Sequence, residues 1–162
     1  MANAYRNDVD ASIRVRAEDL FTFTCTESYD LVVASLYQMP VDPHAQRSGH
    51  RPQDYWGRNL VDHLIRLLPD ILTADGRALV MQLLILGRLR TAELLDEAGL
   101  TTQIVDFDTF GFGPVFQENL DQIRRVEQLS PQAGGVRRRH GGVSAGDHAL
   151  AGATGQGNHR CR

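Results

Sequence analysis

The stretch "YDLVVASLYQMP", Tyr29 to Pro40, decides how the chain reads. Leu31, Val32, Val33 and Ala34 form a short apolar run that stops at Ser35-Leu36-Tyr37-Gln38. A run of this length and β-branched content predicts a strand covered on both faces, hence a parallel one. In open α/β sheets, ligands gather where such strands end at the carboxyl edge. Ser35, Tyr37 and Gln38 are therefore the first candidates for contact with a ligand.

Working outward, strand and helix patterns alternate. "ASIRVRAEDLF" alternates Ile13 and Val15 with Arg, which predicts a strand over Ile13–Arg16. A loop rich in Pro, Gly and His follows Pro40. "DYWGRNLVDHLIRLLPDIL" then sets Trp56, Leu60, Val61, Leu64, Ile65 and Leu68 on one helical stripe, with Asp54 as its N-cap. "TADGRALVMQLLIL" turns at Asp75-Gly76 and runs apolar over Ala78–Leu83, a third strand. "RLRTAELLDEAGL" predicts a helix with Leu95 and Ala98 inward and Gly99 as its cap. A fourth strand covers Gln103–Phe107. "PVFQENLDQIRRVEQL" predicts a last helix, with Pro114 in its first turn and Phe116, Leu120 and Ile123 inward. This alternation implies an α/β sheet, mostly parallel, with flanking helices.

The 162 residues fit one domain, and 42% apolar content can support a core. Residues 131–162 differ from the rest. They carry five Arg against one Asp, eight of the fifteen Gly and no aromatic residue. That net +4, out of −3 for the chain, leaves −7 on residues 1–130. The segment is expected to be a disordered tail, because it has too little apolar surface to offset its ordering entropy. Its Arg137-Arg138-Arg139 cluster is read as solvated. The spacing of His140, His148, His159 and Cys161 matches no compact zinc pattern, so no metal is expected. The acidic body weakly disfavours nucleic acid. No apolar run spans a membrane, "MANAYRNDVD" has no signal-peptide pattern, and two cysteines (Cys25 and Cys161) make no disulfide framework. A cytoplasmic location is expected by default.

The order of "ANAYRNDVDASIRVRAEDLF", "YDLVVASLYQMP", "LVDHLIRLLPDILTADGRALVMQ" and "RTAELLDEAGL" resembles the class I S-adenosylmethionine-dependent methyltransferases. The nearest subgroup is the small-domain type, which modifies release-factor glutamine or nucleic-acid bases. The resemblance covers roughly Met1 to Asp108 and rests on order and spacing. It implies a partial Rossmann-like sheet over residues 1–130, S-adenosylmethionine as cofactor, and methyl transfer to a small-molecule, protein or RNA acceptor. Asp19 falls where the family accepts a hydrogen bond from the adenine amine. Ser35, Leu36, Tyr37 and Gln38 fall where the family carries Asn-Pro-Pro-Tyr, so Ser35, Tyr37 and Gln38 are the catalytic candidates. Ser35 offers one hydroxyl and cannot reproduce a two-pronged amide contact, which argues for an acceptor other than an amide nitrogen. His44 and His50 lie in the loop that would overhang this site. Trp56 is read as a core anchor, His63 as a surface residue and Asp30 as structural.

Nothing matches the family's first two strands, its Gly-rich turn or its ribose-binding acid. In the family order 3-2-1-4-5-7-6, Ile13–Arg16 stands for strand 3, Leu31–Ala34 for strand 4, Ala78–Leu83 for strand 5 and Gln103–Phe107 for strand 6. Strands 1, 2 and 7 are expected to be missing. One face of Leu31–Ala34 should then lie bare, and the chain should be marginally stable or reliant on a partner. The alternative function is a non-catalytic α/β interaction module that has lost the cofactor site.

Overall fold

The computed structural model describes residues 5–24, 26–44 and 54–129, and the backbone of three strands beyond them. The elements in chain order are β1 (Tyr29–Ala34), α1 (Asn59–Ile71), β2 (Leu72–Leu83), α2 (Arg88–Glu97), β3 (Leu100–Asp108), α3 (Pro114–Glu118), α4 (Leu120–Leu129), β4 (Val136–Arg139), β5 (Gly142–Ala145) and β6 (His148–Gly155). Short 3-10 turns lie at Asp10–Ser12 and Leu84–Leu86.

The main sheet runs β1-β2-β6-β3. β1 and β2 are parallel, with Val32 beside Ala78 and Ala34 beside Val80. β6 is antiparallel to both of its neighbours, with Ala151 between Val80 and Ile104. β3 therefore points the same way as β1 and β2. The carboxyl ends of all three, at Ala34, Leu83 and Asp108, share one edge of the sheet. β4 and β5 form a separate antiparallel pair. The fold is mixed α/β, as the alternation implied.

One face of this sheet carries the main core. α1 buries Val61, Leu64, Ile65, Leu68 and Ile71, an i, i+3, i+4, i+7 stripe carried on at i+10. With Leu94 and Leu95 of α2, this stripe packs on Ala78 and Val80 of β2 and on Val32 and Ala34 of β1. α2 ends at Gly99, whose φ of +68° is the left-handed turn that suits a residue without Cβ. The opposite face of β1 is bare: Leu31 is 55% and Val33 70% exposed. That meets the expectation drawn from the resemblance and corrects the reading of the apolar run as a strand covered on both faces.

Several expectations need correction. Ile13–Arg16 is not a strand. Its alternation is that of a half-buried strand, but it joins no ladder, and Ile13 and Val15 are exposed. α1 starts at Asn59, so Trp56 lies before the helix and is 40% exposed. The cause is Gly57, whose φ of +71° breaks the helical path where the chain passes the Met39–Pro40 backbone. The turn at Asp75-Gly76 sits inside β2 as a bulge. Two steps along β1, from Tyr29 to Leu31, span five along β2, from Leu72 to Arg77.

The last helix comes in two pieces, broken at Asn119. The Asn119 side-chain amide donates to the Val115 carbonyl at 2.7 Å, the acceptor its own backbone N–H would use in a continuous helix. That N–H turns instead to the Phe116 carbonyl. Finally, strand 7 was expected to be missing, and residues 131–162 fall only in part among the described ones. The structure places Val136–Arg139, Gly142–Ala145 and His148–Gly155 in strands, the last of them between β2 and β3. The open backbone edges of β2 and β3 are what "HALAGATG" pairs on both sides. The remaining residues of that segment lie outside the described ones.

Candidate carboxyl-edge site

The chain leaves β1 at Ser35 and distributes the next residues in different directions. Ser35 is exposed. Leu36 packs into the main core under α1. Tyr37 is half-buried and packs into a second apolar cluster of Met39, Val41, Leu83, Ile85, Leu86 and Ile123. Phe110, Val115 and Phe116 close this cluster from the far side, with the rings of Phe112 and Phe116 stacked at 5.0 Å. The second core thus roofs the edge where the three parallel strands end.

Gln38 is the link between that loop and the sheet. It is 3% exposed. Its amide nitrogen donates to the Met81 carbonyl at 2.6 Å, and its amide oxygen accepts from the Leu83 N–H at 2.9 Å. Both prongs are engaged by the backbone at the end of β2. The side chain mimics one step of a strand ladder, and its amide faces the sheet rather than solvent. Of the three catalytic candidates, Ser35 alone is exposed, Tyr37 turns its hydroxyl into the second core, and Gln38 holds the loop in place.

Asp19, the candidate adenine contact, sits in an exposed turn. Its Oδ1 accepts from the Phe21 N–H at 3.0 Å, and its carbonyl accepts from the Thr22 N–H at 3.0 Å. This turn is docked by His63 of α1, whose Nε2 lies 3.1 Å from the Leu20 carbonyl and whose ring packs on Phe21 at 5.0 Å. Leu20 and Leu36, the neighbours of Asp19 and Ser35, enter the same core. His63 is therefore an anchor, half-buried. Sequence reasoning put it at the surface because α1 shows it on the flank of the stripe, and the N-terminal segment that covers it is irregular.

Arg58 was missed altogether. It is 7% exposed. Its guanidinium donates to the carbonyls of Leu86 and Gly87, to Thr91 Oγ1 at 3.0 Å and to Asp62 Oδ1 at 2.8 Å. It ties the start of α1 to the turn between β2 and α2. The one signal in the sequence is the Arg58–Asp62 spacing of four, which on its own reads as an exposed helical pair. Asp54 was expected as the N-cap of α1, but that position is Arg58, and Asp54 reaches the helix start from four residues before it. Its carboxylate accepts from the Trp56 N–H at 3.1 Å and the Asn59 N–H at 2.6 Å.

Beyond this loop, Asp42 accepts from the His44 N–H at 2.9 Å and pairs with Arg125 at 3.2 Å. The His44 amide first, and Arg125 after it, hold the Asp42 carboxyl below the ordinary carboxylate range. His44 is exposed and engaged through its backbone. His50, Cys25 and Cys161 lie outside the described residues. Asp30 accepts from Thr73 Oγ1 at 2.9 Å, a structural role across the β1–β2 pair. Among the described residues, no three His, Cys, Asp or Glu side chains converge as a metal site, and no helix is long and apolar enough to cross a membrane.

No family model matches the chain, and no curated protein matches it in sequence. Among solved structures, the YcgJ protein from Bacillus subtilis is similar in fold, with a TM-score of 0.52. The alignment covers 97% of this chain and 76% of that one, at 10% sequence identity. At that identity the likeness speaks for the α/β fold alone.

Proposed function

We propose that this chain is a methyltransferase-type α/β domain that supplies the carboxyl-edge half of an S-adenosylmethionine-dependent site. The observation that carries the reading is the strand order. β1-β2-β6-β3, with β6 antiparallel between two parallel strands, has the pattern of strands 4-5-7-6 in the family the sequence resembles. The likeness to YcgJ supports the fold part of this reading.

The residues present fit the cofactor in part. Asp19 stands exposed on its turn, with a carboxylate that can accept from an exocyclic amine. No described glycine forms a phosphate- or cofactor-cradling turn. Gly57 and Gly76 are pressed against backbone, and Gly111 and Gly113 face open space. S-adenosylmethionine would supply an electrophilic methyl group on sulfur. Ser35 would border the acceptor, with Tyr37 and Gln38 fixing the height of its loop. One hydrogen bond to Asp19 contributes about 1–3 kcal/mol, whereas micromolar affinity needs about 8 kcal/mol. Binding by this chain alone is therefore weak.

The test is nuclear magnetic resonance titration with S-adenosylmethionine at millimolar concentration. The amides of Asp19 to Phe21 should shift, and Asp19→Ala should remove the shift. No perturbation at that turn, or one unchanged in the variant, rejects the reading. A second reading, a non-catalytic interaction module, is favoured by the apolar roof over the carboxyl edge, which fills space that ligands occupy in open α/β sheets. It predicts no shift at Asp19.

A further inference from the structure

We infer, on the reading of Asp19 as a cofactor contact, that His63 is the positioning residue of that contact: it orders the Asp19 turn from α1, while the Ser35 loop is ordered independently of it. No ladder holds the Asp19 turn, because residues 17–24 lie in no strand or helix. Inside the turn, the Thr22 N–H donates to the Asp19 carbonyl at 3.0 Å and the Phe23 N–H to the Leu20 carbonyl at 3.4 Å. These bonds close the turn on itself and fix nothing relative to the sheet.

Two kinds of contact tie the turn to the body. Leu20 and Phe23 pack against the main core. Burial of this kind has no direction, so it holds the turn down without setting its height or rotation. His63 supplies the direction. Its Nε2 lies 3.1 Å from the Leu20 carbonyl, and a carbonyl oxygen only accepts, so Nε2 carries the proton and donates. Among the described residues, this is the one hydrogen bond that joins residues 17–24 to another element. The same imidazole packs on the ring of Phe21 at 5.0 Å. His63 is itself held, because α1 buries Val61, Leu64 and Ile65 around it and Arg58 fastens the start of that helix.

The Ser35 loop has other fastenings. Leu36 enters the main core, Tyr37 packs into the second, and both prongs of Gln38 engage β2. Loss of His63 touches none of these. A turn ordered before its ligand arrives avoids the entropy cost of ordering on binding, which is what His63 contributes to the site.

The experiment is nitrogen-15 relaxation of the full chain, first without ligand. Backbone order parameters over Asp19 to Thr22 should stand near the rigid value of about 0.85 in the parent and fall below about 0.6 in His63→Ala. Those of Leu36 to Met39 should not change. His63→Gln, whose amide nitrogen can donate to the same carbonyl, should restore the turn. With S-adenosylmethionine added, His63→Ala should raise the apparent Kd about five-fold, the factor for one net hydrogen bond. Far-ultraviolet circular dichroism matching the parent verifies each fold. A turn that stays rigid in His63→Ala, a turn that His63→Gln fails to restore, or loss of order at Leu36 to Met39 as well overturns the assignment. So does equal affinity in the parent and His63→Ala. A parent with no S-adenosylmethionine shift rejects the cofactor reading alone, since the ligand-free relaxation decides separately whether His63 orders the turn.

Discussion

Replacing Gln38 separates a structural amide from one that contacts a ligand. In the folded chain its two prongs engage the Met81 carbonyl and the Leu83 N–H, at positions closed to water. Gln38→Ala leaves both groups buried and unpaired. Each orphan costs about 1–3 kcal/mol, so the pair costs about 2–6 kcal/mol. With a urea dependence of about 2 kcal/mol per molar for a domain of this size, the midpoint should fall by about 1–3 M. The single tryptophan, Trp56, reports the transition by fluorescence. It neighbours Gly57, which abuts the Met39–Pro40 backbone.

Gln38→Glu sharpens the test. A protonated carboxyl can donate to Met81 and accept from Leu83, as the amide does, whereas an ionised one faces the Met81 carbonyl with no proton to offer. The folded state therefore raises the pKa of the glutamate. Its stability should approach the parent's below about pH 4.3, the unfolded value, and fall away as pH rises through the raised one. Two results refute the reasoning. One is a Gln38→Ala midpoint equal to the parent's. The other is a gap between Gln38→Glu and the parent that stays flat from acid to neutral pH.

Gly57→Ala should destabilise by about 2–5 kcal/mol, from left-handed backbone plus overpacking. A Cβ there would lie 2.6 Å from the Pro40 nitrogen, and thermal unfolding measures the loss. Asp42→Asn probes the lowered carboxyl. A depressed folded pKa contributes stability above the unfolded value of about 3.9 and loses it as pH falls through the folded one. The melting-temperature gap between parent and variant should therefore be constant near neutral pH and close in strong acid; a gap that widens in acid contradicts the assignment.

The sequence by itself determined the α/β alternation and the positions of α1, β1 and β3 to within a few residues. These are local facts. Apolar spacing states which residues an element must bury, and Gly99 or Pro114 states where it ends or starts, whatever lies nearby. Tertiary structure decided the rest, because each remaining outcome turned on a partner distant in the chain. Ile13–Arg16 has the pattern of a strand and no ladder to join, while "HALAGATG" has little pattern and two edges to fill. Gln38 looked like a ligand contact because it follows a strand end. It became a structural clamp because β2, more than forty residues on, brings Met81 and Leu83 within hydrogen-bond reach. Arg58 and His63 look solvated in a helical register. The turn at Leu86–Gly87 encloses the first, and the Asp19 turn covers the second. A polar side chain announces what it can bond, and only the fold decides which backbone groups are left for it.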